Sequence, residues 1–232
     1  MTTERLEDLI RFYSAMSRLE DKIGGHRRLA DCHGRMKWPK RGIYFFMENG
    51  EQRTNSGQGA RIVRVGTHAV STGSKTTLWR RLSQHKGTEK TGGGNHRGSI
   101  FRKIVGTALD NNKQYATWGQ EQTAPREIRA AEIPLEQEVS QSIRAMPFLW
   151  LAIDDESSRD SLRAYIEKNA IALLSNAGKE AVDAPSPGWL GYRCNYKDVR
   201  ASGLWNQDYV YKEYAPEFLE VLDRLIDEMD VP

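Results

Sequence analysis

Two runs of β-branched and aromatic residues set the tightest limit on the fold. Arg41-Gly42-Ile43-Tyr44-Phe45-Phe46 leads into an Asn-Gly pair at 49–50, and Ala60-Arg61-Ile62-Val63-Arg64-Val65-Gly66 follows after a polar, glycine-containing stretch. Such residues favour extended backbone and Asn-Gly favours a turn, so the two runs predict an antiparallel pair of strands. A third apolar run, Phe148-Leu149-Trp150-Leu151-Ala152-Ile153, predicts a buried third strand and is far shorter than the ~20 residues that span a bilayer.

Helical spacing fills the intervals. Leu6, Leu9, Ile10, Tyr13, Met16, Leu19 and Ile23 recur every three or four residues until Gly24-Gly25 ends the pattern, which predicts an amphipathic helix. Leu78 and Leu82 sit in a helical pattern over 74–86 with Ser and Thr before it as caps; 99–109 and 154–176 read as further helices, and 217–229 as an amphipathic one. A glycine-rich basic loop covers 87–99. From 110 to 144 the chain is polar without strong periodicity and reads as an insertion, whereas 183–214, rich in Pro, Gly, Trp and Tyr, reads as irregular. The expectation is a mixed α/β (α+β) fold with a small, mainly antiparallel three-stranded sheet flanked by helices. Its parts are a helical extension (1–40), a central domain (41–178) with an insertion at about 110–146, and a C-terminal segment with a helix (179–232).

With 28% charged residues in 232 and neither a basic start nor an apolar stretch at its N-terminus, the chain reads as a soluble cytoplasmic protein without a secretory signal. Cys32 and Cys194 are far apart and read as free thiols, and a net charge of +3 permits a polyanionic partner without identifying one.

Gly42-Ile43-Tyr44, the strand ending Arg64-Val65-Gly66, the helix bearing Arg81-Leu82-Ser83-Gln84-His85, then Glu167 in the helix after the third strand and Asn176 nine residues later, stand in the order seen in the GIY-YIG nucleases. The chain resembles that family over roughly 41–176. The resemblance implies an endonuclease that hydrolyses phosphodiester bonds in DNA, most often double-stranded, with Mg²⁺ or Mn²⁺; a compact chain that reads as having no separate binding domain leans toward a restriction or defence role ahead of repair or homing. It places Tyr44, Arg81, His85, Glu167, Arg64 and Asn176 at the catalytic site. One position departs: the second motif of the family begins with Tyr, and here it is Arg64.

The residue types suit the reaction. Hydrolysis needs an activated water, stabilised phosphoryl oxygens and a leaving alkoxide that is helped away. Glu167 is a hard-oxygen ligand for magnesium, which takes one or two carboxylates together with phosphate oxygens and waters. Arg81 offers a planar cationic fork for non-bridging oxygens, and His85 lies one helical turn beyond it on the same face. By the resemblance, Tyr44 deprotonates or positions the water. A free phenol, with a pKa near ~10, is a poor base at neutral pH and needs a cation, a metal or a relay beside it; Arg64 and His85 are the candidates.

Other positions keep two readings. Asn176 suits a substrate contact or an ordinary αL cap. The glycine-rich loop, with His96, Arg97 and Ser99, is a phosphate cradle or a surface loop. Lys197 and Arg200, among the basic and aromatic residues of the C-terminal segment, are candidate DNA contacts, while its Trp residues read better as core. Asp154, Asp155 and Glu156 read as a turn and helix cap rather than a second metal site, and His26, His33 and His68 have no partner at ligand spacing. A non-catalytic DNA-binding module of the same fold is the alternative function, and an interaction protein built on its terminal helices is a third. Two-strand cleavage from one site per chain would favour a homodimer.

Overall fold

The computed structural model describes residues 3–110 and 112–230. Its sheet has four antiparallel strands in the order β1-β4-β2-β3: β1 Arg27–Arg28, β2 Gly42–Gln52, β3 Ala60–Gly66 and β4 Pro147–Ala152. The three expected strands are present, and the two-residue β1, too short to leave a periodic trace, pairs Arg27 with Phe148 at the edge. In the β2–β3 hairpin Tyr44 lies opposite Gly66 and Phe46 opposite Arg64, while β4 sets Trp150 beside Tyr44 and Phe148 beside Phe46.

Because strand side chains alternate, β2 feeds two cores at once. Phe45 goes to one face, where it meets Phe12 of α1 (Thr3–Lys22), and Phe12 in turn meets Phe218 of α8 (Phe218–Glu228). Tyr44 and Phe46 go to the other, against His85 of α2 (Leu78–Lys86) and Phe101 of α3 (Ile100–Leu109). Gly42 and Gly66 are required by these contacts. A Cβ on Gly42 would run into the Leu151 carbonyl of β4, and one on Gly66 would overlap the Tyr44 ring.

Helix α1 buries Leu9, Phe12, Tyr13, Met16 and Leu19, and Gly24 and Gly25 end it at positive φ. Ile10, placed on the apolar face by spacing alone, is instead 48% exposed, and Phe12 takes the central position.

The stretch read as an insertion holds more regular structure than its weak periodicity suggests. It contains α4 (Arg126–Ala131) and α5 (Ile133–Ala145), and α5 buries Leu135, Val139 and Ile143, one turn apart, in the common core. Glu136 and Ser140 lie on the same buried face, which dilutes its apolar signal. Helix α6 (Leu162–Leu174), capped by Ser161, follows β4. Between it and α8 the chain is irregular apart from a 3-10 turn and the short α7 (Lys197–Ser202). Trp189 and Trp205 of this segment are buried, and both indole N–H groups donate to Glu48 Oε2, at 3.0 and 2.9 Å. They are core, as the sequence reading favoured. Cys32 and Cys194 are buried free thiols.

Candidate active site

The edge of the sheet and the helices around it enclose a cavity of about 220 Å³. Tyr44 enters it from β2, Arg64 from β3, Arg81 from α2 and Glu167 from α6. The cavity thus joins residues as far apart in sequence as Tyr44 and Glu167.

Tyr44 is fully buried and its Oη lies 2.8 Å from His85 Nε2. His85 Nδ1 lies 2.8 Å from Ser99 Oγ, and Arg102 Nη1 donates to the His85 carbonyl at 2.8 Å. Burial, with the guanidiniums of Arg81, Arg64 and Arg102 nearby, holds His85 well below the ordinary imidazole range, so its ring is neutral.

Arg64 stands diagonal to Tyr44 across the hairpin, on the same face. It donates to the Trp205 carbonyl and its guanidinium lies 4.5 Å from the centre of the Phe101 ring. Burial lowers its pKa and so does Arg81, while the nearby Tyr44 and Glu167 favour its charged form. Arg64 therefore puts a cation in the same cavity as the phenol and the carboxylate. Arg81 donates to Gln84 Oε1 (3.2 Å) and the Gly98 carbonyl (3.3 Å). The Nε atoms of Arg64 and Arg81 are both buried without a hydrogen-bond partner. Buried donors left unpaired are costly, and an anionic ligand at the cavity is the natural acceptor for them.

Glu167 Oε1 accepts the Thr67 backbone N–H at 3.0 Å, and its other oxygen has no hydrogen-bond donor among the described residues. Burial pushes its pKa up to about 7, against the pull of Arg64, the Thr67 N–H and Arg81, and Asp208 adds to the rise. A dehydrated carboxylate with a free oxygen is a good fit for a divalent cation. Among the described residues there is no cluster of three or more His, Cys, Asp or Glu side chains able to hold a metal by themselves. Phosphate oxygens and waters would have to complete the shell around Glu167, as is usual for magnesium.

The remaining expected site residues lie elsewhere. Asn176 does not line the cavity; its Oδ1 accepts from Arg5 Nη2 and Val182 N, each at 3.0 Å, which ties the N-terminal helix to the chain beyond α6. His96 stacks on Trp118 with ring centres 3.8 Å apart and bonds Glu136 at 3.0 Å. Arg97 makes a two-pronged ion pair with Glu132, at 2.5 and 2.9 Å. Those bonds fix the glycine-rich loop to α5 and its flank, so these two side chains are already committed, and Ser99 is bonded to His85. Lys197 and Arg200 are exposed on α7 and do not line the cavity, and the Arg200 guanidinium caps the Cys194 carbonyl.

Sequence reasoning missed the segment 206–209. Asn206 brackets Val65, accepting from its N–H at 3.2 Å and donating to its carbonyl at 2.9 Å, which extends the pairing of the β3 edge. Gln207, Asp208 and Tyr209 then close one side of the cavity, with Tyr209 at φ 65°. No spacing links this segment to the motifs; its position follows from Trp205 N donating to the Val63 carbonyl at 2.7 Å.

A family model described as GIY-YIG domain matches residues 3–232. No curated protein and no solved structure matches the chain.

Proposed function

The chain belongs to the GIY-YIG domain family, a nuclease-type family, and from that premise we propose that it is a divalent-cation-dependent endonuclease hydrolysing phosphodiester bonds in double-stranded DNA. The observation that carries the reading is the convergence of Tyr44, Arg64, Arg81 and Glu167 on one cavity, with two unpaired guanidinium N–H groups and one under-bonded carboxylate oxygen.

In this reading Arg81 and Arg64 bind the non-bridging oxygens of the scissile phosphate and stabilise the charge that grows on them. Tyr44, backed by His85, positions the attacking water and receives its proton while passing its own hydroxyl proton to solvent in the cavity, as the new oxygen–phosphorus bond forms and the bond to the leaving alkoxide breaks. Glu167 would hold Mg²⁺ or Mn²⁺, which when bound supplies Lewis-acid stabilisation of the phosphoryl and leaving oxygens. Arg64 supports catalysis over the alternative of a non-catalytic binding module, because it places a permanent cation in the cavity of Tyr44 where the family has a phenol.

A restriction or defence role suits a chain whose terminal helices join the catalytic core instead of forming a separate DNA-binding unit. One cavity per chain calls for a homodimer, or for two successive nicks, to sever a duplex. Two buried free thiols suit a reducing, cytoplasmic setting.

Nicking and linearisation of supercoiled plasmid with Mg²⁺ or Mn²⁺, native protein against Glu167→Gln, tests the proposal. Cleavage should fall by at least about 10²-fold in the variant, with DNA binding retained. Equal cleavage by both proteins would refute the site. DNA binding by the native protein without cleavage, across varied sequences and methylation states, would instead support the binding-module reading.

A further inference from the structure

We propose that Ser99 fixes His85 as the imidazole that carries its proton on Nε2, so that His85 donates a hydrogen bond to Tyr44 Oη and cannot receive the tyrosine's proton. The catalytic consequence rests on the nuclease reading above; the position of the proton does not.

A neutral imidazole has one N–H and one bare nitrogen, and the hydrogen bond at one fixes the role of the other. Each nitrogen of His85 has one partner among the described residues: Tyr44 Oη at Nε2 and Ser99 Oγ at Nδ1, both at 2.8 Å. The rings of Tyr44, Phe46 and Phe101 stand edge-on around the imidazole, with centroids 5.4–6.5 Å away, and hold it in this plane.

Ser99 decides between the two tautomers. It is 1% exposed, and as the N-cap of α3 its Oγ already accepts the Arg102 N–H at 3.3 Å. Its own hydrogen has one acceptor in reach among the described residues, His85 Nδ1. With the proton on Nδ1, Ser99 would accept two N–H groups and its O–H would be buried with no acceptor. With the proton on Nε2, the serine accepts once and donates once, and every polar atom of the pair is satisfied.

The direction of the chain follows: Ser99 O–H to Nδ1, then Nε2–H to Tyr44 Oη. Tyr44 lines the cavity, so with Nε2–H donating to Oη its own hydrogen is left to the cavity, where Arg64 also stands. The Nε2–H stabilises negative charge on Oη, and a relay of the tyrosine proton into His85 is closed. Ser99, expected from sequence to hold phosphate, becomes a positioning residue for the base.

The test is nitrogen-15 NMR of histidine-labelled native protein without nucleic acid, which identifies the protonated ring nitrogen of His85 from its shift and its couplings to the ring hydrogens. The expected result is a protonated Nε2 and a bare, hydrogen-bonded Nδ1. A proton on Nδ1 in the native protein overturns the proposal. Ser99→Ala should populate the Nδ1–H form and slow cleavage on the order of 10²-fold, with Ser99→Thr restoring both tautomer and rate. An unchanged tautomer in folded Ser99→Ala would also overturn it. Should the alanine variant not fold, Ser99→Asp still caps α3 but offers only acceptors, and is expected to move the proton to Nδ1. An Nε2–H signal in a native protein that cuts no DNA would support the assignment while removing the nuclease reading.

Discussion

At the scale of the residue, Glu167 combines a functional advantage with a stability cost. Its pKa is near 7 when folded against 4.5 for the free side chain, because burial strips water from the carboxylate before a cation is there to replace it. The sign follows from proton counts. Between these two values the folded protein holds more protons than the unfolded chain, so stability falls as pH rises from 4.5 to 7 and stays reduced above that. The full loss is at most roughly 3 kcal/mol. Glu167→Gln keeps an acceptor for the Thr67 N–H and removes the charge. It should melt higher than the native protein at pH 8, with the gap closing toward pH 4.5, and Mg²⁺ should raise the native melting temperature but not that of the variant. Equal melting of the two proteins at pH 8 would show that Glu167 is not buried in this way. The motif order alone brought forward Tyr44, Arg81, His85 and Glu167, which the fold gathers at or beside one cavity. The engagement of His96 and Arg97 was not legible, because an anion-binding loop and a loop clamped by its own ion pairs have the same composition; only the positions of Glu132 and Glu136 show the second.

At the scale of the element, the hairpin sets the geometry of the candidate site. Tyr44 can lie flat over β3 only because its cross-strand neighbour Gly66 has no side chain. Gly66→Ala should displace the phenol from His85, costing about 1–3 kcal/mol of stability through overpacking. Cleavage should fall by a larger factor than that loss of folded protein explains. Denaturant midpoints and single-turnover rates on the same preparation would check it, and a native rate in the variant would mean the ring is free to move. Strands β2, β3 and β4 were readable because aromatic and β-branched residues concentrate in them. Helix α5 was not, because Glu136 and Ser140 occupy positions on its buried face where an apolar stripe would have revealed it. Glu136 is held as a carboxylate there: burial raises its pKa, but the bonds from His96 and Arg102 outweigh burial and bring it below the usual range. Those bonds explain how an acidic residue can face the core, and they could not be inferred without knowing what packs opposite.

At the scale of the whole molecule, the terminal helices are structural partners of the central sheet. Leu9, Phe12, Leu19, Leu219 and Leu222 belong to the same buried cluster as Ile43, Phe45 and Val65, so the core that supports Tyr44 is closed by both ends of the chain. Arg5 reinforces this closure from the start of α1. Its guanidinium donates to the carbonyls of Leu173, Ser175 and Glu180 and to Asn176 Oδ1, which supplies acceptor-matched donors to the otherwise open C-terminal end of α6. Since α6 carries Glu167, the grip of Arg5 on its last turn helps hold the carboxylate in the cavity. Arg5→Ala should cost roughly 3 kcal/mol, a drop in melting temperature of about 6–12 °C for a chain of this size. Removing residues 1–24 takes away both that grip and the Phe12 face, and a core that has lost one of its walls should not fold cooperatively. Circular dichroism and limited proteolysis would show a broad, weak transition and rapid cleavage in the truncated chain. A sharp native-like transition, with retained plasmid nicking, would instead mean that the rest of the chain folds and acts without α1 and that α1 is an accessory to it.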